Sequence, residues 1–317
     1  MFNIIGQRYW YFRLSFLVII PGLLALIFFG LPLGIDFTGG SQLTVQFQHP
    51  VSTTALVQQL ARDGFPDSSV QAIQSTTTPN SYILRTKFMS TQPPNDQKSK
   101  VEADLQQRFG PLKELQFTSI GPIIGQETTR QAFLAVAVAS LLILLYIWYA
   151  FRNVPTPFRF GICALAALLH DVLVVTGIFA ILGKLFGIEV DALFVTAMLT
   201  VIGFSVHDTI VVFDRIRENL QRRTGEPFEI IVNNSVVQTL ARSLNTSITV
   251  LLTLLALYLF GGVSIRTFVL ALLIGIFSGT YSSIFNASCL LVVWQNREFP
   301  TFIPRLLGFS QTSASST

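Results

Sequence analysis

The residues most able to carry chemistry lie in apolar surroundings. The stretch VIGFSVHDTIVVFDRIREN, residues 201–219, holds His207, Asp208 and Asp214 before it becomes basic. An acid inside a bilayer is costly, so it normally faces a partner or water and marks an ion or proton pathway. At 1.5 Å per residue, Asp208 lies about 7–8 Å inside the end of the apolar stretch near Phe213. Asp214 lies at the interface, where the arginines that follow can pair with it.

The next apolar segment supplies a basic partner. Its polar residues recur at steps of three and four, which places them on one side of a helix: Ser235, Gln238, Arg242, Asn245, Thr249 and Thr253. An antiparallel helix would bring Arg242 to a depth similar to that of Asp208, and pairing would relieve both desolvation costs.

Two interpretations of this pair stay open. It is either a fixed structural ion pair or a switchable pair in which protonation of Asp208 frees Arg242. His207 and the mid-span neighbours His170 and Asp171 add titratable groups, which favours a proton relay.

Glycines mark two further sites. GIDFTGG places Gly34, Asp36, Gly39 and Gly40 between an apolar helix and a strand, which predicts a tight junction or a hinge. The last apolar segment contains a G-x-x-x-G pair typical of close helix packing, Gly275 and Gly279. Hydrogen-bonding groups lie on nearly the same face: Ser278, Ser282 and Asn286.

Composition places these residues in a membrane protein. Of 317 residues, 51% are hydrophobic and 12% are charged, whereas about a quarter of a soluble protein is charged. Stretches long enough to span a bilayer as helices lie near 14–33, 131–151, 159–182, 190–213, 243–260 and 267–294. The net charge of +4 is scattered, which argues against a nucleic-acid partner. Without a Walker loop, zinc spacing or catalytic triad, the sequence predicts a non-enzyme with no metal or cofactor.

Basic residues predict the orientation. One side of the predicted helices collects Arg8, Arg13, Arg152, Arg159, Arg215, Arg217, Arg222, Arg223, Arg297 and Arg305. Both termini are therefore expected in the cytoplasm, and the segment after the first span is expected outside it. The predicted organisation is a cytoplasmic N-terminus with the first span (1–33), an outer domain (34–130), five spans with a cytoplasmic amphipathic segment at 214–241 (131–294), and a partly disordered cytoplasmic tail (295–317).

The outer segment reads as a small α+β domain. Its strand and helix patterns follow the order β-α-β-β-α-β, which is the ferredoxin-like order. The fold class predicted is thus a polytopic α-helical membrane protein with six transmembrane helices and one extracytoplasmic ferredoxin-like domain inserted between helices 1 and 2.

Four blocks carry a resemblance to a known family. GIDFTGG, GFSVHDTIVVFDRIREN, VNNSVVQTLARSLNTS and GTYSSIFNAS, in this order, resemble the signature blocks of the SecF branch of the SecD/SecF protein-export membrane proteins, in the RND superfamily. The resemblance runs from the first span to about Trp294. It departs at His207, where the family more often has Asn.

The resemblance implies a function. It implies an RND-type bundle in a bacterial inner membrane that, with SecD, uses the proton-motive force to promote preprotein translocation. The implied partners are SecD, the SecYEG channel, YajC, YidC, the translocating preprotein and membrane lipid. The coupling ion is the proton, and the proton-coupling pair falls on Asp208 and Arg242. A proton-coupled RND exporter of small molecules or lipids and a purely structural scaffold are the alternatives.

Overall fold

The computed structural model describes residues 3–73, 79–91, 95–152, 154, 156–222 and 225–298. The end of the predicted disordered tail lies outside these residues. In chain order the helices and strands are α1 (Arg8–Phe29), α2 (Ile35–Thr38), β1 (Gly40–Phe47), α3 (Thr53–Arg62), β2 (Ser69–Ile73), β3 (Ser81–Thr86), α4 (Gln97–Phe109), β4 (Leu112–Ile120), α5 (Pro122–Ala150), α6 (Pro157–Phe186), α7 (Ala192–Arg222), α8 (Phe228–Phe260), α9 (Arg266–Tyr281) and α10 (Ser288–Gln295), with a π-helical segment at Ser282–Ala287 between the last two.

Six helical stretches of the described chain are long and apolar enough to cross a membrane. They are α1 with the 3₁₀ turn before it, α5, α6, α7, α8, and α9 to α10 as one continuous span. The predicted fold class is confirmed. The helices extend beyond the apolar stretches, because their polar ends still favour helix. The segment predicted as amphipathic, 214–241, is consequently divided between the end of α7 and the start of α8.

The chain divides into two compact units. One comprises residues 1–31, 135–188 and 193–317, and we call it the membrane unit; the other comprises 32–134 and 189–192, and we call it the outer unit. The outer unit therefore includes the four residues just before and at the start of α7 as well as the predicted domain.

Large side chains and glycines together pack the membrane unit. Phe151 stacks on Phe160 with ring centroids 5.5 Å apart, and Phe213 meets both edge-on. Elsewhere two backbones approach closely, because a Cβ on Gly22 of α1 would lie 2.9 Å from the Cα of Gly177 in α6. Small residues permit this approach between membrane helices.

The outer unit holds a four-stranded sheet of order β2-β3-β1-β4 with antiparallel pairing throughout. Alternate residues of β1 point into its core, because successive strand residues face opposite sides. That core contains Leu43, Val45 and Phe47 from the strand, Leu56 and Leu60 from α3, and Val101 and Leu105 from α4. The element order is the ferredoxin-like order expected from the sequence.

Candidate functional site

Asp171 of α6 is 1% exposed, and hydrogen-bonding side chains surround its carboxylate. Its Oδ1 accepts a hydrogen bond from Ser278 at 2.7 Å and lies 3.0 Å from His170 Nδ1. Its Oδ2 accepts hydrogen bonds from Ser205 at 2.6 Å and from Ser282 at 2.7 Å. Three helical spans thus supply hydrogen-bonding groups to one carboxylate.

A second layer surrounds this acid. His170 Nε2 lies 3.1 Å from the Ser15 hydroxyl of α1, and Asn286 donates a hydrogen bond to the same hydroxyl at 2.8 Å. The Asn286 carbonyl oxygen is buried without a hydrogen-bond partner. The buried network therefore reaches from α1 through α6 to the last span.

The local sequence explains how the last span delivers its serines. Residues four apart lie on one helix face, and the π-helical segment keeps Ser278, Ser282 and Asn286 towards α6 and α1. The glycines predicted to pack helices lie against α7: a Cβ on Gly275 would come 2.2 Å from Val201 Cγ2, and one on Gly279 would come 3.0 Å from Ser205. The lack of side chains at these positions lets α9 approach α7.

Asp208 of α7 has a different environment. It is 2% exposed, and its Oδ2 is buried with no hydrogen-bond partner. The Ser247 hydroxyl of α8 lies beside this carboxylate as a hydrogen-bonding group. Ser247 also accepts a hydrogen bond from Thr280 of α9 at 2.6 Å. The carboxylate is thus out of solvent with only part of its hydrogen-bonding capacity used.

The ion pair expected between Asp208 and Arg242 is not formed. Arg242 is exposed, and the ion pairs of the described chain do not include one between these two residues. The prediction considered depth alone. At 3.6 residues per turn, Arg242 points about 140° away from Ser247 around the axis of α8. Rotation therefore separates two residues that share a depth.

The other predicted relay residues fall in two places. His170 contacts Asp171, as described above. His207 precedes Asp208 in the sequence but is exposed on the membrane unit. Asp214 forms an ion pair with Arg217 at 2.6 Å, as its interfacial position suggested.

The predicted junction is closely packed. Gly39 and Gly40 have φ of +72° and +136°, and a Cβ on Gly40 would lie 2.7 Å from the Thr86 carbonyl oxygen. A Cβ on Gly34 would lie 3.0 Å from the Val190 carbonyl oxygen. Backbone conformation and space both exclude larger residues here, whereas a hinge at this point stays a prediction.

Sequence reasoning missed the hydroxyl partners of Asp171. The polar face of the last span was visible, but nothing linked it to α6, and Ser15 and Ser205 are single serines in apolar helices. The available signal was the buried acid itself, which requires several donors. Among the described residues, the acids, histidines and cysteines form no group of three or more that could hold a metal ion.

The fold and these sites define a class: a six-span helical membrane protein with an inserted ferredoxin-like domain and buried acids in its spans. The C-terminal family described as "Protein export membrane protein SecD/SecF" matches residues 100–297, and the "SecD/SecF GG Motif" matches residues 24–51. The chain belongs to the SecD/SecF family of protein-export membrane proteins. The family prediction is confirmed.

Individual relatives support the same family assignment. The chain is 57% identical over 303 residues to the protein translocase subunit SecF of Thermobaculum terrenum, covering 94% of this chain and 96% of that protein. It is 47% identical to the SecF subunit of Anaerolinea thermophila over 96% of this chain and 98% of the relative. The crystal structure of SecDF from Thermus thermophilus, described as a translocon-associated membrane protein, superposes with a TM-score of 0.81 at 34% identity. That match covers 93% of this chain but 39% of the SecDF chain. These relatives favour a translocase role over a small-molecule exporter.

Proposed function

We propose that this chain is a SecF-type accessory subunit of the Sec translocase that couples proton movement across the membrane to preprotein translocation. The observation that carries the proposal is Asp208. Its carboxylate is buried in a membrane-spanning helix, and one of its oxygens has no hydrogen-bond partner. An acid in this position is the kind of group that proton pathways use.

Binding of a proton would remove the charge of Asp208 without breaking an ion pair, since none of the ion pairs among the described residues includes it. Ser247 would then be free to change its hydrogen bond, and Ser247 connects to Thr280 on α9. A charge change at a buried site can bias the arrangement of the packed helices around it. Asp208 is therefore the proposed proton-binding residue, and an accessory relay through His170 and Asp171 is secondary to it, because hydrogen bonds hold both oxygens of Asp171.

SecD is the proposed partner, and α8 offers the surface for it. The outward face of α8 carries exposed polar residues: Arg242, Asn245, Thr249 and Thr253. A charged arginine side chain in contact with lipid has a high free-energy cost, so it normally faces another protein group or water. The T. thermophilus SecDF chain is longer than the part that this chain matches. The additional part is a candidate for helices that would pack on the outward face of α8. Arg242 is proposed to face an acid or hydroxyl group of SecD.

The wider assembly and its location follow from the family. The SecYEG channel, YajC, YidC and the emerging preprotein are proposed as further partners, and the bacterial inner membrane as the location. Both termini are proposed to be cytoplasmic. A reporter that is active only outside the cytoplasm should work when fused near Gln97 and fail when fused near Arg222; the reverse result would refute this orientation.

Purification and transport together test the function. The tagged chain should retain SecD during purification, and inner-membrane vesicles containing the pair should complete preprotein translocation faster when a proton gradient is present. Arg242→Leu should weaken retention of SecD, whereas Leu244→Ala, a change at an exposed apolar position about 160° around α8 from Arg242, should not. The proposal would be refuted if the chain does not bind SecD and if the rate of preprotein translocation is the same with and without a proton gradient.

A further inference from the structure

The short connection between α6 and α7 is bound into the outer unit. The Val190 amide donates a hydrogen bond to the Pro32 carbonyl at 2.8 Å, and the Gly34 amide donates one to the Val190 carbonyl at 2.8 Å. Leu33 and Val190 form a parallel bridge. Val190 is 1% exposed. The segment that leaves α1 and the segment that enters α7 are therefore joined through their backbones.

A side chain then reaches the start of α7. The Asp36 carboxylate accepts a hydrogen bond from the Ala192 amide at 2.8 Å, across 156 positions of sequence. Ala192 is the first residue of α7. The first amides of a helix have no acceptor within the helix, and its N-terminus favours negative charge. Asp36 therefore supplies, from the glycine-rich junction, an interaction that helices usually obtain from a neighbouring residue.

An ion pair joins the sheet to the same connection. Arg85 of β3 lies 2.9 Å from the Glu189 carboxylate, with side chains 16% and 25% exposed. Burial raises the pKa of Glu189, and the Arg85 charge opposes this change. Burial lowers the pKa of Arg85, and the Glu189 charge opposes that change in turn. Each charge is thus stabilised against desolvation by the other, and loss of either would leave a poorly solvated charge.

We infer that Asp36, Arg85 and Glu189 are positioning residues that fasten the ferredoxin-like domain to the start of α7. We call these residues and the Leu33–Val190 bridge the latch. The inference rests on the proposed function, because α7 also carries Asp208, about 24 Å along the helix from Ala192 at 1.5 Å per residue. A helix is a stiff element that can carry a displacement over such a distance. The latch passes a movement of α7 to the outer domain.

The glycines of the junction pack closely against the latch. Gly34 has no space for a Cβ beside Val190, and Gly40 has none beside Thr86. A turn at these positions would break backbone contacts that the latch residues reinforce. A latch that remains closed and a hinge that opens at the glycines make opposite predictions for a crosslink.

Labelling of a buried position measures closure of the latch directly. Val190→Cys, in the full chain assembled with SecD in membranes, places a thiol where side-chain access requires opening; native Cys163 and Cys289 are 0% exposed. A membrane-impermeant maleimide should label Cys at 190 slowly. Asp36→Ala, Arg85→Glu or Glu189→Arg should each raise the labelling rate about tenfold, because each removes a hydrogen bond to a charged group.

Charge exchange and a matched control make the labelling specific. The double change Arg85→Glu with Glu189→Arg should restore slow labelling. Lys87→Glu breaks the exposed pair with Asp67, whose side chains are 74% and 66% exposed, and should leave the rate unchanged. Equal labelling rates in all variants would overturn the latch.

Export distinguishes coupling from simple stabilisation. The single variants should lose proton-dependent export even at temperatures well below their melting in detergent, and the double exchange should recover export. Open latches with normal export would overturn the coupling role. An oxidised Leu33→Cys, Val190→Cys pair should keep export, whereas loss of export on oxidation would replace the latch with a hinge. If the unmodified chain shows no proton-dependent export, the proposed function fails together with the coupling role, while labelling still decides whether the latch exists.

Discussion

Asp171 and Asp208 are two buried carboxylates in consecutive spanning helices, yet their surroundings differ. Serines from α7, α9 and the π-helical segment donate to both oxygens of Asp171, and His170 contacts one of them. Asp208 has one oxygen without a partner. A fully satisfied polar network makes a packed interior rigid, whereas a partly satisfied one leaves a group whose state can change at lower cost. The comparison separates Asp171, which holds helices together, from Asp208, which is suited to change its protonation state.

The largest effect is expected from neutralising the responsive acid. Asp208→Asn removes the charge and keeps the side-chain size, so proton-dependent export should fall by about tenfold or more, a usual size for coupling between sites. Detergent melting should change little, because Asp208 takes part in none of the ion pairs of the described part of the chain. The measurement is export by vesicles with and without a proton gradient.

A matched change gives the control. Asp214→Asn breaks an interfacial pair with Arg217, whose side chains are 55% and 37% exposed, and should leave export near normal. Normal gradient-dependent export in Asp208→Asn would contradict the role assigned to Asp208.

Replacement of Asp171 is expected to affect stability more than proton-dependent export. Asp171→Ala leaves three buried serine hydroxyls and His170 without their acceptor, so the free energy of unfolding should fall by about 3–5 kcal/mol, as for a broken buried charged pair. Denaturant unfolding in detergent measures it. If Asp208→Asn lowers the stability as much as Asp171→Ala does, the distinction between the two acids is wrong.

A smaller effect is expected at the glycine that lets α9 approach α7. Gly275→Ala would place a Cβ 2.2 Å from Val201, and such overpacking costs about 1–3 kcal/mol. Gly203→Ala is the control, because a Cβ there meets no atom within 4 Å. That change should be neutral or stabilise α7 by up to about 1 kcal/mol. Equal stabilities of the two variants would show that α9 and α7 do not depend on this contact.

The smallest effects are expected at Ser205 and Ser247, and they should differ in kind. Ser205→Ala removes one donor to Asp171 and should cost about 1–2 kcal/mol in the free energy of unfolding. Ser247→Ala should cost less, because Thr280 retains a hydrogen bond to the Ile276 carbonyl, but it should shift the pH dependence of export. If the Ser247 variant has an unaltered pH profile of export, this serine does not take part in the response to protonation of Asp208.

The sequence predicts much of this architecture and less of its chemistry. Apolar length and the β-α-β-β-α-β pattern are local signals, so the spans and the outer domain can be predicted. The depth of Asp208 also follows from its position in the span. The absent pair with Arg242 cannot be predicted this way, because it depends on how far α8 is rotated about its axis. The serines around Asp171 come from distant segments, and one sequence does not say which of many membrane serines meet.

The π-helical segment sets a constraint on the length of the last span. A turn closed from residue i to i+5 contains one residue more than the α-helical turn it replaces, so Ser282–Ala287 has the form of a single-residue insertion. Deletion of one residue there would allow an ordinary α-helix to form with the flanking residues still in register, whereas the same deletion in the α-helical turns of α9 would rotate everything after it by about 100°. The buried residues of α10, including Cys289, Leu291 and Val292, would then leave their neighbours. A one-residue gap is therefore expected to be tolerated within Ser282–Ala287 and not in the α-helical turns that precede it.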